Sequence, residues 1–110
     1  MNIIRGDYKI FTFQRKDKNK NIIVEKPDKM YITIKRNEYL KEVVIQKTFD
    51  NGIKFEEGKY RVEFLPEDTD SLSFGEYVYD IEIISNGKPK TIKVDKFVIK
   101  AEVTYKENEV

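Results

Sequence analysis

The sequence contains neither cysteine nor histidine, and these two absences exclude most of the chemistry that a small domain could perform. Without cysteine there is no disulfide framework, so packing alone has to stabilise the fold, as in proteins that fold in the cytoplasm. Without either residue, the usual zinc sites, catalytic triads and imidazole general bases are excluded. We therefore interpret the chain as a non-enzyme and expect no catalytic residues, no metal and no cofactor.

Long apolar runs and an excess of one charge are also lacking. No segment approaches the ~20 apolar residues of a membrane helix, and the N-terminus has no signal-peptide pattern. Lys+Arg total 21 and Asp+Glu total 20, a formal net charge of +1, and the two signs alternate along the chain instead of forming blocks. We therefore expect a soluble protein whose partner is neither a membrane nor a nucleic acid.

Aromatic residues are what the chain has in quantity. Its 110 residues include 7 Tyr and 7 Phe, which supply large buried areas and argue against disorder despite a charged fraction of 37%. This length is too short for two halves that each bury a core. We predict a single domain over residues 1–104, followed by a polar C-terminal tail over residues 105–110.

Apolar residues recur at every second position through most of the chain, which is the pattern of half-buried β-strands. The less regular segment, residues 43–48, is expected at the edge of a sheet. Two connections have the residues of tight hairpins, Glu56-Glu57-Gly58 and Ser85-Asn86-Gly87. The pattern predicts strands over residues 9–15, 30–35, 43–48, 52–55, 59–65, 77–84, 91–94 and around 97–103.

Two stretches interrupt the strands. Residues 16–21 form a polar, lysine-rich turn, whereas residues 66–72 begin with Pro66 and continue with acids, which favours a single helical turn. About seven or eight short strands, separated by turns every 8–12 residues, predict an all-β protein with an immunoglobulin-like β-sandwich of antiparallel strands. A small β-barrel is the alternative.

The core is assigned to apolar residues on the inward faces of these strands. Tyr79 is a core residue by its period rather than part of a binding stripe. Tyr77 is in addition expected to hydrogen-bond back to the turn before it, as the corner tyrosine of immunoglobulin-like sandwiches does. The nominated core residues are Phe11, Phe13, Ile32, Ile34, Tyr60, Val62, Phe64, Tyr77, Ile81, Ile83, Phe97 and Ile99.

Two motifs allow a functional interpretation as well as a structural one. The acids Glu67, Asp68 and Asp70 offer oxygen ligands for calcium, but they lack the order of an EF-hand loop, and a helical turn attracts acids to its N-terminus without a metal. The tripeptide Arg5-Gly6-Asp7 matches an integrin-binding motif, but a glycine is also expected where a strand begins. For both motifs we favour the structural interpretation, so no binding residue is assigned.

Three segments carry a resemblance to a known family. Residues 4–17 read IRGDYKIFTFQRKD, residues 65–69 read LPEDT, and residues 74–83 read FGEYVYDIEI. They are similar to small bacteriophage virion domains, in particular the N-terminal domain of phage baseplate upper proteins. The resemblance spans most of the chain and implies an immunoglobulin-like β-sandwich attached to a baseplate, tail, neck or capsid surface. The receptor-binding or coiled segment of the baseplate protein has no counterpart after Val110, so we expect a stand-alone module.

This resemblance, together with the missing catalytic residue types, predicts a bacteriophage structural or accessory protein that acts through protein–protein contacts. The expected partners are phage structural proteins, and a homo-oligomer is compatible with the same role. The expected location is the virion, after synthesis in the bacterial host cytoplasm. The alternative is a non-structural phage binding module that blocks a host protein, and an enzyme is the third option.

The contact surface is expected at sheet edges or at the chain ends. Lysines and glutamates alternate through residues 41–47 and 88–96, which guards an edge strand against indiscriminate pairing while leaving it open to a complementary partner. Residues 1–4 and 103–110 are the other candidates, because apolar terminal segments with little cover often become ordered only against a neighbour.

Overall fold

Residues 1–103 are described by the structure, which is a computed structural model, and they form eight β-strands and one short helix. The predicted tail, residues 105–110, lies outside the described residues. The all-β class and the single helical turn within residues 66–72 are confirmed. The elements are β1 (Asn2–Ile4), β2 (Lys9–Gln14), β3 (Lys29–Lys35), β4 (Ile45–Thr48), β5 (Ile53–Glu56), β6 (Lys59–Phe64), α1 (Pro66–Thr69), β7 (Gly75–Ser85) and β8 (Lys88–Lys100).

The strands form two sheets that pack on one shared core. The larger sheet has the order β1-β8-β7-β3-β4, and the smaller sheet has the order β2-β6-β5. In an immunoglobulin-like sandwich, strands B, E and D share one sheet and strands G, F and C the other, and the variable type adds C′. With β2 as strand B and β8 as strand G, this chain has the same arrangement. The immunoglobulin-like prediction is therefore confirmed and the barrel alternative is wrong.

Both predicted hairpins are present, and each is closed by two residues with positive φ. Glu57 (φ 49°) and Gly58 (φ 83°) join β5 to β6, and Asn86 (φ 54°) and Gly87 (φ 73°) join β7 to β8. Positive φ at both central positions is what a type I′ turn requires, and the twist of that turn matches the flanking strands. A side chain at Gly58 would also collide with its surroundings, since a Cβ there would lie 2.9 Å from Cγ2 of Ile22.

Two segments predicted as separate strands, residues 91–94 and 97–103, belong to one strand. β8 pairs antiparallel with β7 through nearly all of its length, and a register shift leaves Ile92 as an extra, unpaired residue. The β-bulge at Ile92 shifts the alternation of side chains within the first predicted segment. The sequence pattern separates the two segments at Asp95 and Lys96, which are charged and exposed although β8 continues through them. The strand ends at Lys100, so the last predicted residues lie beyond it.

The first strand is the one that the period-two pattern missed. β1 pairs in parallel with β8, where Ile3 lies opposite Ile99, and Ile3 is only 1% exposed. The expectation that residues 1–4 are a loosely covered end is therefore wrong. The 3 residues of β1 are too few to show a period, yet they are enough to fill part of a sheet edge.

The core agrees with the nominated residues except at the open flank of the sandwich. Every nominated residue is buried apart from Phe11 and Phe13, which pack against the core but stay half-buried because β2 is an end strand. The assignment of Tyr79 to the core is confirmed, and the buried core also contains residues that were not nominated, namely Ile3, Met30, Ile45 and Ile53.

Aromatic rings connect the two sheets and extend to the flank. The ring centroids of Phe64 in β6 and Phe97 in β8 are 5.5 Å apart, so this pair bridges the sheets. Phe11 meets Phe64 edge-on at 5.7 Å, and Phe13 stacks on Tyr60 at 4.8 Å. Aromatic pairs of this kind add about 0.5–1.5 kcal/mol each beyond the area they bury.

Hydrogen bonds fix the connection that carries the chain from the small sheet to the large one. The Asp68 carboxylate accepts a hydrogen bond from the backbone N–H of Leu65 (2.7 Å), one of the donors that the start of α1 leaves unpaired. After the helix, the Tyr77 hydroxyl donates to the backbone carbonyl of Ser73 (2.8 Å). This is the corner contact predicted for Tyr77.

Lys47 does not protect the sheet edge in the way that was predicted for residues 41–47. β4 is an end strand of the larger sheet, as expected, but Lys47 is only 3% exposed. Its Nζ lies 2.7 Å from the Asp68 carboxylate and 5.3 Å from the centroid of the Phe64 ring. The prediction is wrong for this residue because alternation along β4 places Lys47 on the same face as buried Ile45. Removing either partner of the buried ion pair would leave an uncompensated charge.

Phe64→Ala should lower the free energy of unfolding by about 3–5 kcal/mol, because it removes a fully buried ring that joins both sheets. Urea denaturation measures this loss, and Phe11→Ala, at a half-buried position on the same aromatic cluster, should cost less. A Phe64→Ala protein that melts within a degree or two of the wild type would contradict the assignment of Phe64 to the core.

Tyr60→Phe should stabilise the protein by about 1 kcal/mol, because the Tyr60 hydroxyl is buried without a hydrogen-bond partner among the described residues. The ring keeps its stacking on Phe13, so only the cost of the orphaned hydroxyl is removed. Thermal melting should show a rise of roughly 4–8 °C per kcal/mol for a domain of this size. Tyr77→Phe is the matched control, and it should lower the melting temperature because the Tyr77 hydroxyl is bonded.

Candidate functional site

In the part of the chain that the structure describes, an unpaired stretch of backbone lies along one side of β8. β1 pairs only with the end of β8, and beyond it the Met1 ammonium donates to the Lys96 carbonyl (3.0 Å). Within residues 1–103, no strand pairs with the outer side of residues 88–95. This segment leaves an open sheet edge of about 26 Å at roughly 3.3 Å per residue.

A second open edge lies opposite the first, across the gap between the sheets. β2 is an end strand of the smaller sheet and pairs only with β6. Between β2 and residues 90–93 of β8 lies a groove of about 730 Å³. The groove exists because the larger sheet has five strands and the smaller sheet three, so the smaller sheet does not cover this flank of β8.

The floor of the groove is apolar. Phe11 and Phe13 line it from β2, and Ile92 lines it from β8, where the bulge leaves this side chain half-buried in a segment whose neighbours are exposed. Ile23 adds a further apolar side chain from the chain that follows the lysine-rich turn. A β-bulge next to a binding site commonly re-aims one side chain, and here the re-aimed side chain is Ile92.

Tyr79 belongs both to the core and to the groove, so the two interpretations of this tyrosine are not exclusive. Its side chain is 4% exposed, and it lines the groove from β7. Burial raises the pKa of Tyr79, and the nearby Asp95 carboxylate raises it further. The hydroxyl therefore stays protonated at neutral pH and can donate a hydrogen bond there.

The rim of the groove is positively charged. Lys93 lies opposite buried Ile81 and Lys90 opposite buried Ile83, so both lysines are on the core-side face of β8. They are nevertheless exposed, because nothing in the smaller sheet covers them. Further cations stand across the groove on the other rim, namely Arg15, Lys16 and Lys18. Among residues 1–103, only Lys93 of these five forms an ion pair, a 4.0 Å contact with Asp95.

The loop that carries the second rim is ordered by its own hydrogen bonds. Oδ1 of Asp17 accepts from the backbone N–H groups of Asn19 (2.8 Å) and Asn21 (3.0 Å). At the base of the loop, the Ile23 N–H donates to the Arg15 carbonyl (2.9 Å). Among the described residues of this rim, Asp17 is the one acid beside three cations, so the rim keeps an excess of positive charge.

An ion pair fastens β1, which closes one end of the groove. The guanidinium of Arg5 donates to both carboxylate oxygens of Glu102, at 2.9 and 3.3 Å, and stacks 4.0 Å from the centroid of the Phe74 ring. These hydrogen bonds to Arg5 lower the pKa of the Glu102 carboxyl. Arg5 follows β1 directly and Glu102 lies just after β8. The ion pair therefore holds the two strands together in addition to their backbone hydrogen bonds.

The motifs singled out in the sequence have structural roles in the fold. Asp68 bonds to Lys47 and to the start of α1, while Glu67 and Asp70 are exposed. No group of three or more metal-ligating side chains is found in residues 1–103. In the tripeptide Arg5-Gly6-Asp7, Arg5 binds Glu102, and Gly6 adopts a φ of 80° in the turn that joins the two sheets.

A second concavity, of about 850 Å³, lies on the outer face of the smaller sheet. Its charges are mixed, since Lys54 and Lys59 alternate there with Glu56 and Glu57. The groove beside β8 is the better candidate because it combines open sheet edges, an apolar floor and an excess of positive charge.

The sequence pattern pointed to residues 88–96 as a guarded edge, and the structure confirms that residues 88–95 lie at one. The pattern did not reveal the groove, because the groove depends on which strands face each other across the sandwich. The sequence did contain one signal of an uncovered edge. The period of β7 assigns Ile81 and Ile83 to the core, whereas the residues opposite them on β8 are lysines. Charged residues on the inward face of a strand mark an edge that the core does not cover.

No protein-family model matches the chain, and no curated protein matches its sequence. Within residues 1–103, no helix has the length and apolar character needed to cross a bilayer. The groove is therefore the feature from which a function is inferred.

Glu102→Gln should destabilise the protein at pH 7 but have little effect in acid. Because the folded protein lowers the pKa of Glu102, the ion pair stabilises it above the unfolded-state pKa, and this contribution is lost as the pH falls below about 4.3. Melting temperatures of wild type and variant at pH 7 and pH 3 should therefore differ at the first pH and converge at the second.

The matched control is Glu76→Gln, which removes a fully exposed pair with Lys96 (side chains 63% and 69% exposed). This variant should melt like the wild type at both values of pH, because exposed pairs contribute little. An equal loss of stability for Glu102→Gln at pH 7 and pH 3 would contradict an electrostatic role for Glu102.

Proposed function

We propose that this protein is a non-enzymatic component of a bacteriophage particle and that it acts by binding other phage structural proteins. The location follows from the resemblance of residues 4–17, 65–69 and 74–83 to phage virion domains. These segments contain β2, the α1 connection and most of β7, the strand with the corner tyrosine. The resemblance is therefore carried by the parts of the chain that establish its fold.

The observation that supports a binding role is the pair of open edges beside one apolar groove. Unpaired N–H and C=O groups on an edge strand accept a further strand, and this β-augmentation is a recurrent way of recognising peptides. The half-buried Ile92 and Phe11 provide apolar contacts directly beside the free backbone of β8. Backbone pairing supplies affinity in such a site, and the side-chain contacts supply selectivity.

Repetition in a particle makes a modest contact sufficient. A small module whose single contact is weak is held firmly if many copies line a lattice, or if the module itself oligomerises, because the linked contacts act at a high effective concentration. The groove beside β8 has a size that suits one extended segment. This scale of interface is compatible with a decoration, neck, tail or baseplate component that docks on a repeating surface.

Mass spectrometry of purified virions of the phage that encodes this protein tests the location. We expect the protein in the particle at a copy number that is a fixed fraction of the capsid protein, because structural components are present in defined ratios. Abundant expression during infection with none of the protein in washed particles would contradict the proposal. That result would favour the alternative, a binding module that blocks a host protein.

A further inference from the structure

The groove beside β8 restricts its occupant to an extended chain. The backbone groups on the outer side of residues 88–95, where Pro89 has no N–H to donate, can pair with another strand. The edge is closed at one end by Met1, whose carbonyl accepts from the Val98 N–H (2.8 Å). A strand of about eight residues fits between this point and the hairpin at Asn86 and Gly87. A helix or a compact loop would leave the edge unpaired.

The apolar floor sets one property of that strand. Ile92, Phe11 and Phe13 line the groove on its inner side, next to the shared core. A strand lying along β8 directs alternate side chains to this floor, and the intervening side chains point away. The occupant is therefore expected to have an apolar residue on its inward face beside Ile92, within reach of the rings of β2.

The charge of the rim sets the second property. Lys90 and Lys93 flank Ile92 on β8, and Arg15, Lys16 and Lys18 stand on the opposite rim, while the whole chain has a net charge of only +1. Asp17 offsets one of the three cations on that rim and leaves the rim positive. Cations on both walls of a cleft lined by apolar surface concentrate the local field and favour an anionic ligand. Carboxylates on the occupant would pair with these cations.

A second copy of the same chain is disfavoured by the same charges. Pairing of two β8 edges about a two-fold axis would place the segment with Lys88, Lys90 and Lys93 against its own copy. Like charges that lie directly opposite each other across two strands are destabilising. The lysines therefore prevent self-pairing of this edge and leave it available to a partner of opposite charge.

We propose that the groove binds an extended acidic segment of a partner protein, which adds as a strand to residues 88–95 of β8. The side chains on its inward face supply both an apolar contact to Ile92 and the phenylalanines of β2 and the carboxylates that pair with Lys90, Lys93 and the cations of the 15–18 rim, because all of these line the same groove. This assignment rests on the proposed binding function and specifies the surface and the chemistry of the ligand.

Selection from a library of random ten-residue peptides tests the proposal with the whole chain as bait. The expected peptides have apolar residues and Asp or Glu together on one face, at positions two or four apart, and lack proline at the centre, since proline removes a donor from the ladder. Their binding should weaken as salt is raised, because the rim is solvent-exposed. Hydrogen exchange of the complex should show new protection of amides within residues 88–95.

The decisive variant is Lys90→Glu/Lys93→Glu, which reverses two exposed charges in the groove. It should bind the selected peptides about tenfold or more weakly. Lys54→Glu/Lys59→Glu, on the outer face of the smaller sheet, is the matched control and should bind them like the wild type. Both variants should melt close to the wild type because all four lysines are exposed.

Three results would overturn the proposal. These are selected peptides without acidic enrichment, equal binding by the groove variant and the wild type, and self-association of the wild type that the groove variant abolishes. The outcome is separable from that of the proposed function. Virions that incorporate Lys90→Glu/Lys93→Glu at the wild-type copy number would exclude the groove as the docking surface in the particle and leave the structural role intact.

Discussion

The contact between Phe64 and Phe97 joins a three-stranded sheet to a five-stranded one, and the mismatch in width determines much of the molecule. The two sheets can bury one face each only where they overlap. Beyond the overlap, Phe11 covers the edge of Phe64 and remains half-buried itself. The larger sheet continues past this point without cover, and the exposed flank of β8 is the result. The groove is thus a consequence of the core geometry rather than an addition to it.

This protein has no disulfides, and polar contacts hold the connection between β6 and β7 in place. The buried Lys47 joins β4 to the turn after β6 through Asp68, and the Tyr77 hydroxyl joins the start of β7 to the same corner. A buried ion pair is weak evidence for added stability, since both charges lose their hydration. Its better-supported effect here is positional, because Asp68 also accepts from the Leu65 N–H and so sets the path of the chain into β7.

The open edges present a conflict between solubility and binding. Unpaired edges invite aggregation, and natural proteins protect them with lysines, bulges and inward-pointing charges. β8 has all three devices, in Lys90, Lys93 and the bulge at Ile92. The same cations that repel a second copy attract an acidic strand, so protection and selectivity come from one set of residues. This dual role accounts for the presence of Lys90 and Lys93 on the core-side face of β8, where apolar residues are otherwise expected.

The sequence by itself determined most of the strands, both hairpins, the helical turn and the larger part of the core, because these depend on local period and on residues such as Gly58 and Asn86 that tolerate positive φ. It predicted the Tyr77 contact for the same reason, since tyrosine and turn are near in the chain. Only the tertiary structure decided that residues 1–4 form a strand, that Lys47 is buried and that β8 is uncovered beside β2. These features depend on pairing between residues far apart in sequence, and a period along one strand carries no information about which strand lies opposite it.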